Sequence, residues 1–423
     1  MLTSLRSTLV IALFFTGIAQ PAVADEYHYN NFIIGDRASG MGGAYTAVSD
    51  DATGLFYNPS AIVYSGDKNV SASVNSYFRQ TKKYENVIGN NTFERNSSTI
   101  LANFFGVIKP LGDYKIGFSY AVPDASSEDQ NQSFNNISST VSRYTINLNN
   151  RDNTANFGPS FAAAINNDLA VGITLYVHQR DSQLILNQFN ERADGSNGWS
   201  NKYFKLSETG VKPVLGISWS PFEKLSLGFS VSQTFLLNSK AETQQTCWDA
   251  SNAPPPDGRC STGVSVGSGP SIKVPRQIPD DYKRAYPMRL AVGAAYFADN
   301  NLLISGDLTY YSKVPTDQFY GEKIAVINAA LGTEYYLSKK WAVRAGVFTN
   351  MANTPAIRAN VASAEENINL YGCSLSISNF TGSSSVTLGG SLSYGKGNSQ
   401  ILSNSGIQNA NSISSLGFLS SSF

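Results

Sequence analysis

Apolar residues recur at every second position over long stretches of the chain. Leu169, Val171, Ile173, Leu175 and Val177 alternate with Ala170, Gly172, Thr174, Tyr176 and His178. The same period holds for Leu225, Leu227, Phe229 and Val231 against Ser226, Gly228, Ser230 and Ser232. It returns for Trp341, Val343, Ala345 and Val347 against Ala342, Arg344, Gly346 and Phe348. Successive side chains of a strand point to opposite faces, so each stretch predicts a strand with one apolar and one small or polar face. Strands of about ten residues with apolar side chains toward lipid and polar ones toward a lumen build outer-membrane barrels. A secreted β-sandwich carries the same alternation, so the connections must decide.

The connections are of two kinds. Turn-like joints fall at 110–113, 166–168, 220–224, 298–301, 337–340 and 395–398, and longer polar stretches at 80–95, 123–138, 188–200, 239–285, 314–323, 351–382 and 404–411. Short and long alternate strictly, which gives about 14 antiparallel strands with short periplasmic turns and longer outer loops. A sandwich has no reason to sort its connections by side. The predicted fold is therefore all-β, a transmembrane antiparallel β-barrel at 67–423, set in outer-membrane lipid. The chain ends at Phe423, and a terminal aromatic is similar to the signal by which the barrel-assembly machinery recognises such proteins.

The first 24 residues read as a secretory signal peptide, with Arg6, the apolar run 9–15 and the small-x-small pattern of Ala22, Val23 and Ala24. Nothing after Ala24 approaches the roughly 18 consecutive apolar residues of a membrane-spanning helix, so an integral protein must be a barrel. Composition agrees: charged residues make up 15%, aromatics 12%, and there are 35 glycines. Lys plus Arg equals Asp plus Glu at 31 each, which implies no field for recruiting nucleic acid.

Residues 25–66 precede the first strand and lack sustained alternation. They include GDRASGMGGAYTAVSDDATGLFYNPSAI, rich in glycine, with two adjacent acids and an Asn-Pro pair. A lumen too wide to be filled by strand side chains makes this segment a plug. GMGGAYTAVSDDATGLFYNPSAI resembles the N-terminal hatch of FadL-type outer-membrane channels for long-chain fatty acids and other hydrophobic compounds, including aromatic hydrocarbons. YKIGFSYAVP at 114–123 is similar to that family's third strand, and two later strand pairs resemble it as well. The family's Asn-Pro-Ala stands here as Asn58, Pro59 and Ser60, and its Pro-Phe-Gly as Pro123, Asp124 and Ala125.

The resemblance implies passive uptake, with a ligand bound in the lumen and released sideways through a gap in the third strand. Carried over, the gap falls at Ile116, Gly117, Phe118, Ser119 and Tyr120, and the hatch positions are Gly42, Gly43, Asp50, Asp51, Asn58, Pro59 and Ser60. The residues themselves also allow plainer roles: Asp50 and Asp51 as caps of a helix at 52–57, Asn58 and Pro59 as its stop. Alternation sends His178, Arg180, Arg289, Asp307, Glu334 and Arg344 to the lumen, where they either hold the plug or meet a ligand carboxylate. Neither His28 nor His178 lies near a nucleophile motif, so no enzyme is expected. No His/Cys spacing points to a metal or other cofactor. Cys247 and Cys260 flank a proline-rich outer loop and are expected to form a disulfide, with Cys373 left over in another loop. The alternative function is a surface barrel, an adhesin or phage receptor, with a closed hatch and no transport.

Overall fold

The computed structural model describes residues 26–66, 70–73, 76–249, 271–272, 276–278, 283–316, 321–359, 365–381, 384–401 and 406–422. Fourteen strands form one antiparallel sheet closed on itself. They are β1 (Val70–Ser73 continued by Ser76–Ile88), β2 (Asn91–Leu101 continued by Phe104–Leu111), β3 (Tyr114–Asn135), β4 (Val141–Ala164) and β5 (Leu169–Arg192). Next come β6 (Asn197–Phe222), β7 (Leu225–Ser232 continued by Phe235–Asp249), β8 (Ser271–Ile272, Arg276–Ile278 and Arg289–Phe297), β9 (Leu302–Tyr311) and β10 (Val326–Ser338). The last four are β11 (Trp341–Asn350), β12 (Glu366–Phe380), β13 (Ser385–Ser399) and β14 (Gln408–Ser422). β14 pairs back onto β1, from Ala410 opposite Tyr84 to Ser422 opposite Ser71, which closes the sheet on itself.

Outward side chains such as Phe161, Ile173, Ile217, Leu308, Leu331, Leu375 and Leu388 stand exposed around the wall. So much contiguous apolar surface is unsuited to water and matches the lipid-facing band of a membrane barrel. Among the described residues no helix is long and apolar enough to cross a membrane. β4, β5 and β6 have 24, 24 and 26 residues, far more than the roughly ten that a bilayer needs. Beyond the belt the pattern changes phase. On β5 the apolar Val171 to Val177 face outward, whereas Leu184 is buried. There it packs with Leu148, Phe204, Leu206 and Ala241 in an interior cluster.

This extension corrects several expected connections. The stretches at 80–95, 123–138 and 188–200 are largely strand, closed by turns at 89–90, 136–140 and 193–196. The stretch at 351–382 contains β12, the joint at 395–398 lies inside β13, and the connection between these strands falls after Phe380 and before Ser385. Two displaced connections leave the strand number at fourteen. Cys373 consequently lies mid-strand on β12, exposed and unpaired with sulfur, instead of in a loop. Cys260, like residues 1–24 and Phe423, lies outside the described residues.

Residues 26–66 fold inside the lumen, with short helices α1 (Asp36–Gly40) and α2 (Gly54–Tyr57) and a 3-10 helix at Pro59–Tyr64. Phe32, Ile34, Met41, Tyr45, Leu55 and Ile62 form a buried core with Phe78 of β1 and Phe104 and Ile108 of β2.

Candidate functional site in the barrel lumen

Three pairs of directly opposed glycines seat the N-terminal segment: Gly172 with Gly216, Gly228 with Gly293, and Gly332 with Gly346. A Cβ on Gly172 would lie 2.5 Å from Ser60 N, one on Gly228 2.2 Å from Thr46 O, and one on Gly346 2.2 Å from the Met41 carbonyl carbon. Main chain thus packs on main chain at three places around the wall, which only glycine permits. Gly42 and Gly43, with φ of 66° and 86°, turn the chain where it meets β11.

Polar contacts fix the same segment. Asn58 Nδ2 donates to Thr46 O at 2.9 Å, Ile217 O at 3.1 Å and Ser218 Oγ at 3.2 Å. Its Oδ1 accepts from Ser60 Oγ at 2.6 Å and Ser60 N at 3.3 Å. Pro59 begins the 3-10 helix, where its missing N–H costs nothing. The serine at 60, where the resembled motif has alanine, adds a bond to Ser218 Oγ at 2.7 Å. Asn58→Ala orphans buried partners on both sides and is expected to weaken seating by about 2–3 kcal/mol. Hydrogen exchange would read this as faster labelling of residues 36–64 in an intact barrel.

Of the two acids expected as caps, Asp51 meets a backbone N–H at the start of this turn, its Oδ1 accepting from Thr53 N at 2.7 Å. α2 itself starts at Gly54 with no side-chain cap, and Asp50 pairs with Arg37 instead. Burial pushes the Asp51 carboxyl up to about 6, with Asp50 and Asp36 adding to the shift and Arg37 opposing it.

Alternation places the six lumenal charges as follows. Glu334 takes a bidentate bond from Arg37, at 2.8 and 2.9 Å, and also pairs with Arg344. Asp307 Oδ2 accepts from Tyr45 N at 3.0 Å and Thr46 N at 2.8 Å. Arg180 binds Asp152 and Glu26. His178 Nδ1 meets Asn156 Oδ1 at 3.0 Å. Arg289 is half-buried and makes no ion pair among the described residues.

Above the seated segment lies a cavity of about 280 Å³, near the lower end of the roughly 300–1,000 Å³ typical of ligand pockets. Phe32, Ile33, Phe56, Tyr57 and Phe348 supply an apolar lining, and Lys212, Arg289, Arg284 and Lys323 supply positive charge. Lys212 Nζ lies 5.4 Å from the Phe56 ring centroid, and among the described residues it has no ion-pair partner. Sequence reading missed Lys212, although it falls on the lumenal face of β6 by the same alternation.

Pro123 and Asp124 also line the cavity, at a break in the wall. β2 and β3 are fully paired from Leu111 and Tyr114 up to Phe104 and Ala121. Above that point their ladder retains only Ser97 opposite Glu128. In between, Val122 N donates to Asn103 O at 2.9 Å, and the register of β3 against β4 shifts between Ala121 and Asp124. Higher up, Gln130 and Gln132 side chains stand in for main-chain rungs, accepting from Asn96 N and Glu94 N at 3.1 Å each. Phe32 N donates to Pro123 O at 3.2 Å, and Asn103 Nδ2 to Ile33 O at 3.4 Å. Ile100, Phe105 and Phe118 beside the break are exposed outward, so it lies at the height of the apolar belt.

This moves the expected gap. Ile116, Gly117, Phe118, Ser119 and Tyr120 are paired on both sides, with β2 and with β4, and the interruption begins only beyond Ala121. The cause is local: β2 is broken at 102–103, and Pro123 has no N–H to offer a neighbour.

The closed fourteen-strand barrel has the fold of solved FadL-type outer-membrane channels. Among solved structures, a FadL homologue of Pseudomonas aeruginosa aligns at TM-score 0.62 and 13% identity, covering 94% of this chain and 99% of its own. The Pseudomonas putida toluene transporter TodX aligns at 0.58 and 13%, covering 91% and 96%. The Ralstonia pickettii toluene transporter TbuX aligns at 0.57 and 13%, covering 92% and 98%. No protein-family model and no curated protein sequence matches the chain, so the likeness is one of fold.

Proposed function

We propose that this protein is an integral outer-membrane channel for passive uptake of hydrophobic molecules, with a long-chain fatty acid as substrate. Residues 25–66 are its hatch, 67–423 its barrel, and 1–24 a signal peptide removed on export. The ligand binds in the lumenal cavity and leaves through the break between β2 and β3 into the bilayer. A water-filled pore would not serve such cargo, since moving it from apolar surroundings to water costs about 0.8 kcal/mol per CH₂.

The observation that carries the choice of substrate is the pair Lys212 and Arg289, two lumenal cations without ion-pair partners among the described residues, beside an aromatic wall. Burying unpaired charge is costly, and a carboxylate head group relieves that cost while its alkyl tail lies on Phe32, Ile33 and Phe56. A neutral hydrocarbon such as toluene offers those cations a ring face but no counter-charge.

Uptake of labelled oleate and of toluene by cells lacking their own importer tests the reading. Lys212→Met with Arg289→Met is expected to weaken oleate binding by about tenfold or more, at roughly 1.5–3 kcal/mol for a charge-assisted contact, and to leave toluene uptake unchanged. Toluene uptake without oleate uptake would replace the fatty acid with a neutral hydrocarbon. Uptake of neither by an assembled barrel would favour a closed surface protein that binds a partner or phage.

A further inference from the structure

One carboxylate at the cavity belongs to the N-terminal segment. Glu26 Oε1 accepts from Arg180 Nη2 at 2.7 Å and from Arg284 Nη1 at 2.8 Å. The barrel already supplies counter-ions for both arginines. Asp152 binds Arg180 through three contacts of 2.7–3.2 Å, and Glu208 lies 3.0 Å from Arg284 Nε. Asp152 and Glu208 side chains are 0% exposed, whereas that of Glu26 is 19% exposed and faces the cavity. The arginines therefore stay oriented and neutralised if Glu26 leaves. Burial raises the Glu26 carboxyl, but Arg180, Arg284 and Lys323 outweigh it and hold it at about 2, so the group is an anion at any working pH.

Position along the wall gives this contact a place on the ligand's route. Lys212 is opposite Tyr176, and Arg180 is two inward positions further toward the outer end of β5, opposite Glu208. A molecule descending from outside meets the Glu26-filled arginine pair before it reaches Lys212 and Arg289.

We infer that Glu26 is a tethered stand-in for the ligand's carboxylate: an amphiphile with an anionic head group displaces it from Arg180 and Arg284, and the exchange frees the strap that roofs the cavity. The strap is residues 26–32. Its main chain is held by Asn353 Nδ2 and Lys323 Nζ on Glu26 O at 2.8 and 3.2 Å, by Asn353 N on Tyr27 O at 2.8 Å and by Asn350 Nδ2 on Asn30 O at 3.0 Å. At its far end, Phe32 N binds Pro123 O at the break in the wall. Exchange at one end of the strap is thereby connected to the exit at the other. This deepens the proposed uptake function and rests on the lumen being the ligand's binding site.

The test is calorimetric titration of laurate and of dodecanol into the full-length protein in lipid nanodiscs. An occupant that must first be displaced lowers apparent affinity by the fraction of sites left competent, so Glu26→Gln is expected to tighten laurate about tenfold and leave dodecanol unchanged. Unchanged or weaker laurate binding, with dodecanol bound as by wild type, overturns the stand-in role and spares the uptake reading. Binding of neither probe by wild type overturns both. Tyr29→Trp in the Glu26 background provides a readout that needs no change at Glu26. Laurate should shift its emission and dodecanol should not, and equal responses to the two would refute the exchange.

Discussion

Replacing Ser126 by tryptophan is expected to cut oleate uptake by roughly fivefold or more while leaving oleate binding in the lumen intact. Ser126 lies on β3 where the ladder with β2 is interrupted, and its Oγ is buried without a partner among the described residues. It also lines a small cavity between the wall and residues 30–33. An indole there fills space that a departing ligand must cross. Overpacking costs about 1–3 kcal/mol, and a barrier raised by that amount slows passage by about five- to a hundredfold. The strands on either side remain paired below Ala121 and at Ser97, so the barrel should still assemble. Uptake and equilibrium binding measured on the same preparation separate the outcomes. Full uptake with the indole in place would mean that cargo does not leave by this break, and an axial route past the N-terminal segment would have to replace it.

The wall was legible in the sequence wherever lipid imposes a period of two. Leu169 to Val177 faces outward as the alternation requires, and short turns sorted against long connections gave the strand number. Legibility failed where the chain leaves the hydrocarbon. On β12, Ile368 and Leu370 point inward, while Tyr371, Leu375 and Ile377 point outward. The apolar phase inverts within one strand and cancels the signal, so β12 read as loop. Polar residues on the outer face of the extension have the same effect on β3 to β6, since main-chain hydrogen bonds hold a ladder there without an apolar outer face. The candidate site divides similarly. Charges on lumenal faces follow from parity alone, and parity would have given Lys212 too. The break beyond Ala121 depends on which rungs two particular strands fail to make, and Glu26 pairs with arginines more than 150 residues away. No local pattern carries either fact. The glycine pairs were half visible: Gly172, Gly228 and Gly346 stood on the small face of their strands, but each partner across the ladder depends on register.

Those glycines give the second large effect. Gly172→Leu combined with Gly216→Leu is expected to keep residues 26–66 from seating and turn a plugged barrel into an open one. A Cβ at Gly216 would sit 2.0 Å from Asn58 Oδ1, and one at Gly172 2.5 Å from the Pro59 carbonyl carbon. The Gly172 overlap is with main chain, and at Gly216 the Asn58 amide is fixed through its Nδ2 on Thr46 O and Ile217 O, while the Ser60 hydroxyl is fixed on Ser218 Oγ. At about 1–3 kcal/mol per overlap, and a factor of about ten per 1.4 kcal/mol, the pair shifts the seated ratio by about thirtyfold or more. The strands themselves lose nothing, since an inward leucine on an emptied wall meets only space and water. Planar-bilayer recordings should give long-lived openings where the wild type is closed, and cells should become sensitive to large hydrophilic antibiotics. Gly112→Leu is the control, because a Cβ there meets nothing within 4 Å and φ of 60° confines any cost to the β2–β3 turn. A double variant that stays closed would mean that the segment is held chiefly by the Arg37–Glu334–Arg344 cluster. Charge reversal at Glu334 would then be needed to open the lumen.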